Sequence, residues 1–334
     1  VREPAAGRCG MTATLRPPDL ENLAGQHTGR RHLSHSRLGV YLACEEKYRW
    51  QYVERLQPVV RKESLQLGAA FATALEEGDP LAGEQEILDA HDDLQERLGS
   101  DPWIVVPSRE DAEVQSMIVR GAAGAYLAGF GARAHREVEL KARVRNPETG
   151  AYSRTFDVMA RVDGLNGSTL IEDKLLSKVE PATEQKLKFD RQVTLGAYLI
   201  WRTSGVQVDT IRYRITKKPS IRRRQNESHI EFCQRILADY EARPEFYVHE
   251  FVLKRGPVDF LRLERELWRW CEQIRSSERD GVWSRNIASC GDYGGCPMLP
   301  LCAREPDAMR RFEVRPEHRP DLEKRDTTPT EVAA

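Results

Sequence analysis

No stretch of the 334 residues approaches the roughly 18 consecutive apolar residues of a membrane-spanning helix, which excludes that kind of anchor. Charge of one sign is lacking too. Against 51 Lys and Arg stand 52 Asp and Glu, so the net charge is −1 and any attraction to a polyanion must come from a local patch. No G-x-x-x-x-G-K-[ST] loop is present, so the chain does not power translocation along a polymer itself. The seven cysteines are odd in number and unevenly spread, which argues against the disulfide framework of a small secreted domain. A thiol-rich chain of this kind points to metal or cluster ligation instead. The opening residues "VREPAAGRCG" hold no apolar run of signal-peptide length. Residues 1–33 are therefore expected to be a disordered leader, residues 313–334 a disordered charged tail, and the protein to remain in the cytoplasm.

What is present divides into three zones. Residues 34–130 read as helices. "SRLGVYLACEEKYRWQYVERL" spaces Leu38, Tyr41, Leu42, Tyr48, Tyr52 and Leu56 at helical intervals behind Ser34 or Ser36 as N-cap, and further helices are expected near 65–77, 84–98 and 109–128. Residues 131–226 turn to alternating strand patterns, "REVELKARVR", "RTFDVMARVDG" and "STLIEDKLL", followed by one helix, "TEQKLKFDRQVTLGAYLIWRTSG", and a strand, "TIRYRIT". That order describes a small α/β core. Residues 227–312 become helical again before a segment carrying Cys290, Cys296 and Cys302.

One stretch of the core carries chemistry. In "LIEDKLLSK", strand alternation sends Glu172 and Lys174 to one side and Asp173 to the other. Upstream, Asn166-Gly167 signals a tight hairpin. If those two form the loop, Leu165 pairs with Ser168 and Asp163 with Leu170, which puts Asp163 on the face of Glu172 and Lys174, diagonal to Glu172. Two carboxylates held together repel unless a cation lies between them, and a hard oxygen site suits Mg2+ or Mn2+. Such an ion lowers the pKa of a bound water and stabilises charge on a phosphodiester, while an adjacent lysine positions the attacking water. An isolated ExK is more often a surface strand end with a Glu-Lys pair; the aspartate one hairpin earlier shifts the balance.

The segment "ARVDGLNGSTLIEDK", with Asp163, Glu172 and Lys174, resembles the core of the PD-(D/E)XK nucleases, in particular the RecB-like exonuclease branch that includes CRISPR-associated exonucleases and phage proteins. "SHSRLGVYLACEEKYRWQYVERL" is similar to that branch's N-terminal segment and supplies Cys44, and "CGDYGGCPMLPLC" is similar to its three-cysteine segment. The resemblance implies a restriction-endonuclease-like mixed sheet flanked by helices. It also implies a metal-dependent exonuclease acting on DNA, most readily single-stranded, in recombination, repair or processing, with a helicase or recombination partner. Asp163, Glu172 and the carbonyl of Asp173 would bind Mg2+ or Mn2+, Lys174 would orient water, and Gln192 would touch DNA or that water. Cys44, Cys290, Cys296 and Cys302 are the right number for a [4Fe-4S] cluster stapling the N-terminal helix to the C-terminal segment; Zn2+ on the same four thiolates is the alternative. Cys9, Cys233 and Cys271 are expected to be free thiols.

Two departures from the family stand out. Where it carries G-x-x-x-H, this chain has Gly68 followed by Ala72, with Glu76 one turn later as a possible ligand or a solvated charge. Where it carries Q-x-x-x-Y, Gln192 is followed by Gly196, with Tyr198 on another face. A catalytically impaired, DNA-binding accessory protein is therefore the competing reading. The basic run from Arg212 to Arg224 is read as a phosphate-tracking edge or a solvated loop. Tyr48, Trp50 and Tyr52 are read as core residues first and base-stacking residues second.

Overall fold

The computed structural model describes residues 30–133 and 137–315. The expectations for residues 1–29, for Cys9 and for residues 316–334 lie outside that range. Arg31–Leu33, expected as leader, instead forms strand β1. The single long aromatic helix expected after it is broken. Helix α1 spans His35–Ala43 and α2 spans Glu45–Tyr48, with Cys44 between them in an extended conformation, and a π-helical turn covers Arg49–Val53 before strand β2 at Leu56–Pro58.

Three helices follow, close to where periodicity placed them: α3 (Glu63–Glu77), α4 (Pro80–Leu98) and α5 (Arg109–Phe130). Their boundaries have local causes. Gly78 ends α3 at φ 66°, Asp79 caps α4 through the N–H of Leu81, and Pro80 occupies its first turn. Ser108 and Asp111 form a reciprocal capping box at the start of α5. Strands β3 (Val138–Arg145), β4 (Tyr152–Val162), β5 (Gly164–Asn166) and β6 (Thr169–Leu176) come next. The expected single helix beyond β6 is two, α6 (Pro181–Leu187) and α7 (Arg191–Ser204), because Asp190 accepts from the N–H of Gln192 and starts a new helix. Then come β7 (Thr210–Lys217), α8 (His229–Ala242), α9 (Pro244–Tyr247), β8 (Val248–Lys254), α10 (Pro257–Asp280), α11 (Leu299–Ala303) and β9 (Phe312–Val314).

The described chain divides into two compact units. The larger one, residues 30–35, 62–100 and 106–281, holds two sheets, ordered β1-β4-β3 and β5-β6-β7-β8. β6 and β7 run parallel, which requires a crossover, and α6 with α7 supplies it. β8, not anticipated from the sequence, pairs antiparallel with β7 at the other edge. The smaller unit, residues 36–61, 101–105 and 282–315, contains the antiparallel pair β2-β9 over a core of Leu56, Met298, Leu301 and Ala308.

In the larger unit α5 carries Gly121, Ala122, Ala123 and Ala125 buried in sequence, and the small side chains let α8 approach closely. A Cβ on Gly121 would lie 2.2 Å from Tyr240 Cδ2. That ring cannot retreat easily, since its hydroxyl bonds the carbonyl of Lys217 at 2.9 Å and its face meets Tyr247 at 4.1 Å. Gly121→Ala gains about 1 kcal/mol of helix propensity, but overpacking a fixed aromatic costs about 1–3 kcal/mol. A net loss of stability is expected in urea titration; a midpoint that rises would contradict it.

Candidate active site

Asp163 occupies the bend between β4 and β5, where one run of extended chain leaves the first sheet and joins the second. The hairpin that follows differs from the expected one. Asn166 pairs with Thr169, Leu165 with Leu170 and Gly164 with Ile171, so the loop residues are Gly167 and Ser168 rather than Asn166 and Gly167. Gly167 takes the positive φ, 58°, that the turn needs. The shift is two positions, which preserves the face. Continuing the register one step sets Asp163 opposite Glu172 instead of diagonal to it, and directly opposed Cβ atoms lie about 4.5–5.5 Å apart.

The strand alternation also holds. Glu172 and Lys174 share a side: Lys174 Nζ donates to Glu172 Oε1 at 2.9 Å. The same ammonium donates to Gln192 Oε1 at 3.0 Å and lies 3.6 Å from Asp190 Oδ2. Three residues of β6 and the first turn of α7 thus converge on one amine. Glu172 is buried at 3 % exposure. Burial first, and the neighbouring Asp163 second, push its carboxyl up to about 8, with Lys174 pulling in the other direction. For Lys174, burial works against the charge, yet Glu172 and Asp190 outweigh it and hold the amine protonated.

Asp173 points to the opposite face. Its side chain, 1 % exposed, accepts from Arg133 Nε at 2.8 Å and from the hydroxyl of Tyr126 at 2.9 Å. Its backbone N–H donates to Asp163 Oδ2 at 2.8 Å, and a strand residue's carbonyl leaves on the same side as its own N–H, so the Asp173 carbonyl is directed toward Asp163. Arg133 also lies 3.9 Å from Asp163 Oδ1. Burial and Asp173 push the Tyr126 hydroxyl up to about 12, so it stays a donor.

Several residues here were not singled out in the sequence. Asp190 was readable as a helix cap in "FDRQ", but its proximity to Lys174 follows only from the crossover. Tyr213 lies opposite Glu172 on β7, and its buried hydroxyl is held protonated by burial first and by the carboxylates of Asp190 and Glu172 next. His35, the first residue of α1, has a buried Nδ1 with no partner, and burial lowers its basicity while Asp190 raises it and Lys174 lowers it. Arg133 follows α5 and carries no local signal.

The departures from the family motifs have packing correlates. Ala72 and Glu76 sit half-buried on α3, which packs Leu67 and Ala70 against Leu175 of β6. Gly196 lies flush on β4: a Cβ there would meet Val162 Cγ1 at 2.8 Å, so no tyrosine fits. Tyr198 turns away from the site, and its hydroxyl donates to Glu264 Oε1 of α10 at 2.7 Å.

Three residues of the basic run lie near acids. Arg212 lies 3.5 Å from Glu250, Arg214 lies 3.9 Å from Glu250 and donates to the Tyr126 hydroxyl, and Arg223 lies 3.1 Å from Glu110. Tyr48 is fully buried and presents no face for stacking, while Trp50 is half-buried, packs on the core of the smaller unit and has the Arg49 guanidinium 4.2 Å from its ring centroid.

The four cysteines all fall in the smaller unit and are half-buried free thiols. Asn286 links two of them, donating its N–H to Cys44 Sγ at 3.5 Å and accepting from Cys290 Sγ at 3.9 Å. Its side-chain amide donates to the carbonyl of Ala43 at 2.8 Å, and Glu46 N–H donates to the carbonyl of Ser284 at 3.2 Å. Burial pushes the Cys302 thiol up, while the Trp50 indole N–H beside it, itself buried, pulls the other way. Among the described residues, no three His, Cys, Asp or Glu side chains are grouped as a metal site, either here or around Glu172.

Comparison with known proteins adds the following. A solved structure described as "Putative exonuclease" from Eubacterium rectale shares 9% sequence identity with this chain, covering 95% of it and 100% of that chain, at a TM-score of 0.45. No curated protein matches. Residues 32–303 match the PD-(D/E)XK nuclease superfamily, a span that takes in both units and all the site residues described above, and the chain belongs to that superfamily.

Proposed function

We propose that this protein is a metal-dependent DNA exonuclease that hydrolyses phosphodiester bonds in single-stranded DNA, serving recombination, repair or processing. The observation that carries the reading is the convergence of Glu172, Lys174 and Gln192 within 3.0 Å contacts on the face shared with Asp163, in a chain of nuclease ancestry.

Two carboxylates are enough for the ion this chemistry needs. Mg2+ keeps several waters and is commonly held by one or two carboxylates plus substrate phosphate, so the small donor set fits it. Asp163, Glu172 and the Asp173 carbonyl would hold Mg2+ or Mn2+, which supplies Lewis acidity toward water and the phosphodiester oxygens. Lys174, steered by Gln192 and Asp190, orients the attacking water and offsets phosphate charge. Arg133 and Tyr126 fix Asp173 from behind, which keeps its backbone directed at Asp163. Cys44, Cys290, Cys296 and Cys302 would hold a [4Fe-4S] cluster; four half-buried thiols in one unit fit its need for thiolate ligands, and the Trp50 indole N–H beside Cys302 fits a sulfur-directed donor. Its role is to cross-link the segments that carry them.

The test is anaerobic protein incubated with end-labelled linear and with circular single-stranded DNA, in Mn2+ and in EDTA. Metal-dependent release of short products from linear DNA, with circles intact, is expected. Nicked circles would replace the exonuclease with an endonuclease. If neither substrate is cut, the second reading takes over: a DNA-binding accessory protein impaired by Ala72 at the family's histidine position. A colourless anaerobic sample would remove the cluster.

A further inference from the structure

The turn joining α6 to α7 reads Lys186, Leu187, Lys188, Phe189, Asp190, and it is firmly built. Leu187 is buried, the N–H groups of Phe189 and Asp190 bond the carbonyls of Lys186 and Leu187 at 3.0 and 3.1 Å, and Asp190 caps α7. The buried guanidinium of Arg255 donates to the Leu187 carbonyl at 3.1 Å and to Thr194 Oγ1 at 3.0 Å, tying the turn to the helix. On this fixed turn the Phe189 ring is 83 % exposed, the most exposed Phe or Trp among the described residues. A phenylalanine held in water forgoes about 1.5–3 kcal/mol of burial. Its position is the informative part: Phe189 precedes Asp190 by one Cα step, about 3.8 Å, and Asp190 lies 3.6 Å from Lys174 Nζ. Exposed lysines stand on either side of Leu187. Lys188 lies 3.4 Å from Glu184, with both side chains exposed, a pair weak enough to yield to phosphate.

We infer that Phe189 is a stacking platform for an unpaired base of the nucleic-acid strand whose backbone enters the Glu172-Lys174 site, with Lys186 and Lys188 on the flanking phosphates. The inference rests on the nuclease reading above and deepens it by assigning the residue that selects unpaired over paired strands. Every base presents a π-face, so an exposed ring one residue from Asp190 can grip any single-stranded sequence, whereas a base pair hides its faces in the stack.

The test is binding, measured in EDTA so that nothing is cut. A labelled single-stranded oligonucleotide and the same backbone lacking bases are titrated with wild type, Phe189→Ala and Phe189→Trp, and the salt slope is taken for Lys186→Ala/Lys188→Ala. Stacking is worth about 1–3 kcal/mol per base, so Phe189→Ala should bind the normal strand about 5- to 150-fold more weakly. Phe189→Trp should restore affinity, and all three should bind the base-free strand alike. The double lysine variant should reduce the slope of log K against log salt by about 1.4, some 0.7 for each lost phosphate contact. Unchanged affinity in Phe189→Ala would hand the exposed ring to a protein partner and overturn the inference, as would an equal loss on the base-free strand. In both cases a wild type that still cuts DNA leaves the nuclease reading standing. A wild type that neither binds nor cuts DNA removes both.

Discussion

Glu172→Gln is expected to lower metal-dependent cleavage by about 100- to 1,000-fold, the usual loss on removing one charge-stabilising group from an active site, while leaving the chelated protein at least as stable as wild type at pH 8. The reason is that Glu172 works against the fold when no cation is bound. Burial and Asp163 push its carboxyl up to about 8, above its unfolded value. The folded protein therefore holds that proton more tightly than the unfolded chain, and the sign follows from linkage: the resulting stability is complete below the unfolded pKa of about 4.5 and is lost as pH rises through about 8. At about 1.4 kcal/mol per pKa unit, the loss over that window is a few kcal/mol. His35 acts in the opposite sense, since burial lowers its pKa and favours the fold as pH rises. The difference between wild type and Glu172→Gln isolates the carboxyl. Melting curves in EDTA at pH 5, 6.5 and 8 should converge at the lowest pH and separate at the highest, with the glutamine variant on top. Mn2+ should then raise the wild-type curve at pH 8, by about 2.7 kcal/mol at a hundredfold excess over its dissociation constant, and should not raise the variant's. Parallel curves, or a variant that still cuts, would sink the assignment. Lys174→Ala gives the complementary result: cleavage is lost, and the fold loses stability as well, because Glu172 keeps its burial without its cation.

The trio was legible in the sequence because its logic is local. Alternation along β6 fixes which acid faces Lys174, and a hairpin slip of two positions returns every side chain to the same face, so the misplaced loop did no harm to the conclusion. The partners of the trio were not legible, because tertiary placement creates them. Asp190 and Gln192 reach Lys174 only because the crossover between parallel strands sets the start of α7 beside β6, and the break that makes Asp190 a cap lay inside a segment whose periodicity suggested one helix. Arg133 reaches Asp173 from a position some 40 residues away in sequence. Strand β8 escaped notice because "VHEFVLK" follows a helix and borders the apolar start of another, and three-residue β1, β2 and β9 are too short to show a period. The acids that meet part of the basic run were likewise not legible, because Glu250 of β8 and Glu110 of α5 reach Arg212, Arg214 and Arg223 only in the fold.

The largest effect on stability is expected from Arg202→Met, far from the chemistry. Arg202 is 1 % exposed on α7 and donates to the Tyr198 hydroxyl at 2.7 Å, while Tyr198 donates to Glu264 Oε1, which lies 3.5 Å from the guanidinium. A tyrosine thus bridges a buried ion pair between α7 and α10. Removing one member of such a pair leaves an uncompensated charge in the interior and costs about 3–5 kcal/mol, whereas replacing both ions with apolar side chains of similar volume is often neutral. Arg202→Met should therefore shift the urea midpoint strongly downward, and Arg202→Met/Glu264→Leu should recover most of the loss. A double variant as unstable as the single one would mean that the guanidinium stabilises through its packing rather than its charge. The consequence for the site is indirect. The ion pair anchors the C-terminal half of α7, and the other end of that helix carries Asp190 and Gln192 against Lys174. Cleavage per folded molecule should persist in the single variant at a temperature where it remains folded, because the first turn of α7 is held separately by its own cap and by Arg255 on Thr194. A loss of rate beyond the loss of folded protein would show instead that Lys174 depends on the whole length of the helix.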